Sequence, residues 1–337
     1  MNTKELLKKY WFVCLVAVLA VIFIVYYAVV DAQNKPKTLA TKQEDGQYLI
    51  YTAGEDKLTA DQLYEELYDQ MALTMLYRQL DRAVIDASYE TTSEMKNIAT
   101  NSASYLLTMY SKEQLDSDLR SLGYSGVDEL DEYYIYMQKA TLFARDYFNA
   151  HLEDIVEPYI AENNSKVISH ILVLVDNVET VTNADGTTTL VAHPTEEEQA
   201  KLDEVQAKLA NGEDFAEVAK TYSDDSSASN GGSLGYYDTS VASGYVAEFT
   251  AAADPLKEGD VTEPVLFTYG YHIIRCDAST TDSLMNNDDF INKLVQAYNS
   301  DYTKAIYEKS QELGYKIEDE AMRTEIESVL NGDGGAE

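Results

Sequence analysis

Apolar residues recur at helical spacing as far as about Val156, give way to short strand-like runs between Val167 and Asp277, and return to helical spacing at Phe290, Leu294, Tyr298 and Tyr302. A helix that comes back after an intervening segment must bury its apolar face against something. The simplest partner is the helical stretch that preceded it. The expected fold class is therefore α+β, with a strand-bearing domain inserted between two parts of an all-helical lobe. At 337 residues the chain also exceeds what one core usually organises.

Local signals place the first part of the lobe at 48–162. Thr59 with Gln62, Thr91 with Glu94 and Ser111 with Gln114 each have the spacing of a helix-opening capping box. Gly123 stands where a third helix needs a left-handed residue to stop. Leu63, Leu67, Met71 and Met75 follow the first box at spacing four, and Leu80 and Val84 continue that face. A longer helix is expected from about Val127 to Val156, ending near Pro158. The closing helix is placed at 287–325, and the Gly-rich end, 326–337, is expected to be disordered.

Ahead of the lobe, Trp11 to Val30 is an uncharged run of 20 residues, enough to cross roughly 30 Å of hydrocarbon as a helix. Lys4, Lys8 and Lys9 precede it and favour keeping residues 1–10 in the cytoplasm. The reading is a single-pass anchor at 11–30, a polar stalk at 31–47, and the bulk of the chain outside the cell membrane. A cleaved signal peptide is the competing reading, but Asp31-Ala-Gln-Asn-Lys-Pro is a poor cleavage site. Cys14 lies inside the apolar run and Cys276 in an expected strand, so they cannot pair within one folded chain.

Lys4, Lys8 and Lys9 against Glu5 make the first 30 residues net +2, so of the total −34 the remainder carries −36. Such a surface argues against nucleic acid, whose phosphates need cationic neutralisation. Solubility and repulsion between copies account for it simply; attraction of cationic client segments or divalent ions is the sharper reading. No acidic cluster has calcium-loop spacing, so no metal and no cofactor is expected. The 27 tyrosines, Tyr133, Tyr134, Tyr136 and Tyr147 among them, suit either helix packing or loose contact with unfolded chains.

The strand-bearing segment carries an ordered set of motifs. Val167-Ile-Ser-His170-Ile-Leu-Val opens it and Tyr269-Gly-Tyr-His272-Ile-Ile-Arg closes it. Between them lie Gly212-Glu-Asp-Phe-Ala-Glu-Val-Ala219 and Tyr222-Ser-Asp-Asp225-Ser-Ser-Ala-Ser-Asn-Gly-Gly232-Ser-Leu234-Gly. An Asn183-Ala-Asp-Gly186 turn joins two Thr/Val-rich arms, helices are expected at 194–211, 214–221 and 246–253, and a strand pair at 264–277 turns at Tyr269-Gly270.

This set resembles the parvulin family of peptidyl-prolyl isomerases over 165–278. The resemblance implies a small antiparallel sheet with surrounding helices, in which two histidines from neighbouring strands meet under the substrate's proline. A lone strand histidine is ordinarily a satisfied core residue, but here two of only four histidines, His170 and His272, occupy both family positions. Asp225 falls where the family carries Asp or Cys beside the rotating bond. Leu234 and Phe249 match apolar cup residues, and Tyr245 stands where Met is usual. Phe267 joins this substrate-binding set as a departure, because the family commonly has Thr five residues before the second histidine. His151 and His193 lack such context and read as surface residues.

The implied activity needs no nucleophile. Amide resonance opposes rotation about X-Pro by about 18–20 kcal/mol, so a catalyst need only bind the twisted amide better than either planar form. The order of anchor, helices, isomerase and closing helix is similar to the extracytoplasmic PrsA-type foldases, which usually carry a lipid-anchored cysteine, a pattern from which this chain departs by its expected transmembrane segment. The implied partners are unfolded or newly exported polypeptides with X-Pro bonds, and a homodimer is compatible with the reading. A holdase with a degenerate isomerase, or a non-catalytic secretion partner, remains the alternative.

Overall fold

The computed structural model describes residues 41–42, 48–53, 56–242 and 244–330. The expected anchor, Trp11–Val30, lies outside the described residues. Among those described, no helix is long and apolar enough to cross a membrane. The chain divides into two compact units, 1–75 and 76–337.

The first unit departs from the all-helical expectation. Strands β1 (Thr41–Lys42), β2 (Tyr48–Ala53) and β3 (Asp56–Thr59) form an antiparallel sheet in the order β1-β2-β3, so part of the expected stalk is paired. Tyr48-Leu-Ile-Tyr-Thr52 is aromatic and β-branched, which suits a pleated surface better than a helix. The helix Ala60–Ser88 then begins at the expected box: the Gln62 N–H donates to Thr59 Oγ1 at 3.2 Å and the Thr59 N–H to Gln62 Oε1 at 3.0 Å. Along this helix Leu67, Met71 and Met75 are exposed, whereas Leu80, Val84 and Ile85 are buried.

In the second unit, Ser111 caps Lys112–Ser121 as expected, with its Oγ accepting from the Gln114 N–H at 3.2 Å. Ser93–Met109 is capped by Thr92 instead of Thr91, since the main-chain N–H of Met95 is the one within reach of its hydroxyl, at 3.1 Å. Gly123 ends the third helix with φ +85°. The single long helix expected to Val156 is broken into Leu130–Asn149, a π-helical turn Leu152–Val156, and Glu157–Asn163. Interior proline removes a helix hydrogen bond; the wide turn lets Pro158 fall in the first turn of a new helix, where no donor is needed.

The closing segment is several helices, Thr281–Met285, Asp288–Ala297, Asn299–Glu312 and Glu320–Leu330, in place of one. The expected disordered tail is helical as far as Leu330, and Ile326 is buried. Leu284, Phe290, Ile291, Leu294 and Ile306 from this segment share one core with Val84, Ile85, Phe148 and Val156.

Between these helices lies a four-stranded antiparallel sheet in the order β7-β4-β9-β8, built from β4 (Lys166–Leu174), β7 (Ser233–Tyr237), β8 (Val265–Phe267) and β9 (Gly270–Ala278). Strands β5 (Val178–Thr182) and β6 (Thr188–Ala192) make a separate hairpin. Alternation along β4 and β9 sends Ile171, Val173 and Ile273 to helices Glu196–Ala210 and Phe215–Tyr222, while Ile168 and Ile274 face helix Ala247–Ala253. Val167 and Ala278, where the chain enters and leaves the sheet, are register partners, and both belong to the helical core.

Candidate active site

Register sets the histidine pair. His170 on β4 lies opposite Ile274, and His272 on β9 opposite Leu172, so the two imidazoles are diagonal neighbours on one face of the sheet, within side-chain reach. Their Nδ1 atoms are 3.0 Å apart and the ring centroids 5.1 Å apart. His170 is 5% exposed.

Asp225 is delivered by a loop that completes the edge of β4. Strand β7 pairs only with Lys166–Ser169. Beyond that point the Leu172 N–H donates to Ser223 Oγ at 3.1 Å, the Asp224 N–H to the Leu172 carbonyl at 2.9 Å, and the Leu174 N–H to Asp224 Oδ2 at 2.9 Å. Asp224, held also by Lys201 at 2.6 Å, is thus used on the strand edge, and the next residue faces the histidines. Asp225 Oδ1 lies 3.2 Å from His170 Nε2, off the line of a well-formed hydrogen bond, so the contact is chiefly electrostatic.

Burial would raise the Asp225 carboxyl, but hydrogen bonding from Ser227, and then the proximity of His170, outweigh it and bring the group down to about 2. An ionised carboxylate calls for the His170 proton on Nε2, which leaves its Nδ1 as acceptor and makes His272 Nδ1–H the donor. Burial, and next the neighbouring His170, push His272 down to about 4, with Asp225 opposing. Because that lies below the ordinary value of about 6.5, the unfolded chain takes up this proton first on acidification. The stability contributed by neutral His272 is whole above about pH 6.5 and is lost as pH falls towards 4. Peptide turnover is expected to be level between about pH 8 and 6.5 and to fall towards pH 4; a midpoint near 6.5 in a protein shown by circular dichroism to stay folded would mean that His272 is not so shielded.

An aromatic cup stands over the pair. Tyr245 stacks on Phe249 at 4.5 Å and 12°, Phe249 lies 6.4 Å from both imidazoles, and Phe267 meets His272 edge to face at 4.3 Å and 68°. Leu234 packs in the same cluster. Phe249 and Phe267 are 3% and 4% exposed, so Leu234, Tyr245 and His272, each partly exposed, form the reachable surface. Phe267 supports His272 from behind. Thr268 falls in the exposed turn after β8.

Gly232, read from sequence only as part of a turn, belongs to the site. The His170 N–H donates to its carbonyl at 2.8 Å, and a Cβ there, at φ +78°, would sit 2.2 Å from the His170 carbonyl oxygen. The Gly-Gly pair beside a histidine strand was the available signal. His151 and His193 lie elsewhere, partnered by Asp154 at 3.0 Å and Glu179 at 2.9 Å.

The PPIC-type peptidyl-prolyl isomerase (rotamase) family model matches residues 170–278. Foldase protein PrsA from Geobacillus kaustophilus is 30% identical over 240 residues, 70% of this chain and 73% of the relative. The chain belongs to the PrsA foldase family. PrsA from Oceanobacillus iheyensis is 31% identical over 222 residues, 65% of this chain, which spans 64% of that relative's length. PrsA from Clostridium kluyveri is 51% identical over 83 residues, 24% of this chain and 23% of the relative. Like these PrsA relatives, the chain is similar to proteins named as foldases, and it contains a peptidyl-prolyl cis-trans isomerase domain.

Proposed function

We propose that this chain is a membrane-tethered, extracytoplasmic foldase that isomerises X-Pro bonds in exported polypeptides, its isomerase carried between two parts of a helical lobe. The observation that carries the reading is the Asp225–His170–His272 chain lying under an aromatic cup. A proline ring seated on Leu234 and Tyr245 would place its amide beside the two imidazoles and Asp225. Twisting that amide localises the nitrogen lone pair and weakens carbonyl resonance, and a dry, preorganised floor favours the twisted form without forming a bond. Each tenfold in rate requires about 1.4 kcal/mol of such preference.

A second activity is supported by the helical lobe. A groove of about 600 Å³ is lined by Met95, Ile98, Tyr134, Met137 and Leu142 with a polar rim that includes the Arg145–Asp288 ion pair, and Ile98 and Met137 are exposed. Such a surface suits weak, sequence-tolerant holding of unfolded segments.

One paired experiment tests both. The parent and His170→Ala are compared in a protease-coupled assay on an X-Pro peptide and in suppression of aggregation of an unfolded client. His170→Ala is expected to lose at least about tenfold in kcat/KM while holding the client as the parent does. A parent without turnover that still suppresses aggregation would favour the holdase alternative, and equal loss of both in a folded variant would count against separate sites.

A further inference from the structure

We propose that Lys166 is a positioning residue for the isomerase: by tying down the C-terminal end of helix Ala247–Ala253 it fixes Phe249 and Tyr245 over the paired histidines. The inference rests on the isomerase reading above.

Lys166 opens β4, four residues before His170, and is 2% exposed. Its Nζ donates to the carbonyls of Ala253 at 3.3 Å, Asp254 at 2.7 Å and Leu256 at 3.0 Å. An ammonium has three donors, and three main-chain acceptors use them all. Among the described residues it makes no salt bridge within 4.0 Å. Burying a cation is expensive, and an apolar side chain would fill the same space more cheaply. An apolar replacement would withdraw these donors from the carbonyls at and just past the helix end, where Ala253 also accepts from the Leu256 N–H at 3.2 Å. Burial lowers the Lys166 pKa, in keeping with a group held by neutral acceptors.

The same helix end is gripped twice more. Tyr237 Oη donates to Asp254 Oδ1 at 2.7 Å, and Asn164 Nδ2 to the Asp254 carbonyl at 3.3 Å. At the other end the N-cap residue, Val246, supplies no side-chain cap. The helix is therefore located by its C-terminal tether and by packing on β8 and β9, and Phe249 lies one turn before that tether. Lys166 and His170 share one strand, so the tether measures the cup's position from the strand that also carries a histidine.

The test uses the full chain with Lys166→Met, which keeps an unbranched stem and removes the donors, in a double-mutant cycle with Phe249→Ala on an X-Pro peptide. Lys166→Met is expected to lower kcat/KM about tenfold, mostly through KM, and to add little to Phe249→Ala, because both act through the same ring. Amide exchange across 247–254 should quicken by a similar factor, and Tyr237→Phe should shift both readouts the same way by less. Parent-like turnover, losses that multiply in the double variant, or unchanged exchange would each overturn the proposal. If Lys166→Met does not fold, Tyr237→Phe decides, since it opens no cavity, and parent-like exchange there is the negative result. A parent that never turns over the peptide counts against the isomerase reading alone, because exchange reports the tether without activity.

Discussion

A chain ended after Asp277 is expected to be recovered mostly as aggregate. The deletion removes Leu284, Phe290, Ile291, Leu294 and Ile306, each 0% exposed, from a core that also contains Val84, Ile85, Phe148 and Val156. Burying one such side chain is worth about 1.5–3 kcal/mol, and whole-domain margins are only about 5–15 kcal/mol, so the helical cluster loses its margin. It would also leave the partners of the missing residues as a contiguous apolar surface. Soluble fraction, hydrophobic-dye binding and a urea melt read the outcome. A truncated chain as soluble and as cooperative as the parent would show that the closing helices are not needed by the rest.

The second large effect is at Phe267. Phe267→Thr replaces a ring packed against His272 and, at 6.0 Å, Phe249, in a cluster with Ile168 and Ile274, so a loss of about 3–5 kcal/mol in stability is expected. In protein that remains folded, turnover on an X-Pro peptide should nevertheless rise. The aromatic edge offers His272 no hydrogen bond, whereas a hydroxyl would give the imidazole a fixed partner and hold the pair more firmly. His272→Ala should lower turnover. Turnover that is unchanged or lower in folded Phe267→Thr, with a parent already fast, would show that the aromatic support is the better arrangement in this chain.

What was legible in the sequence is what local chemistry decides. Thr59 and Ser111 cap helices at the expected residues, and the helix expected at 194–211 opens on a Thr195–Glu198 box that closes from both sides. Thr91 was displaced by its neighbour because two adjacent threonines compete for one helix start and only backbone geometry chooses. The paired strands, their turn and the hairpin followed from alternation and turn residues. The strands before the first helix did not, because the aromatic, β-branched run at Tyr48–Thr52 lies within the span assigned to the helical lobe, and the π turn did not, because it depends on how the chain accommodates Pro158. At the site, motif order brought out the histidines and Asp225, but not the divided labour of Asp224 and Asp225, which depends on where β7 stops. Lys166 was invisible for a plainer reason: a lysine opening a strand reads as solvent-facing until the carbonyls around it are seen.

The register between Val167 and Ala278 has a consequence for how such a chain can change over time. Seen from the helical core, everything between those two residues is one closed loop whose ends already touch. The entropy of closing a loop grows only with the logarithm of its length, about 0.6 kcal/mol for each doubling. The core therefore barely registers the size of what hangs from it, and arms such as the β5–β6 hairpin can lengthen or shorten with little penalty to its folding. The length of the inserted arms and the stability of the helical core are in this sense mechanically separate.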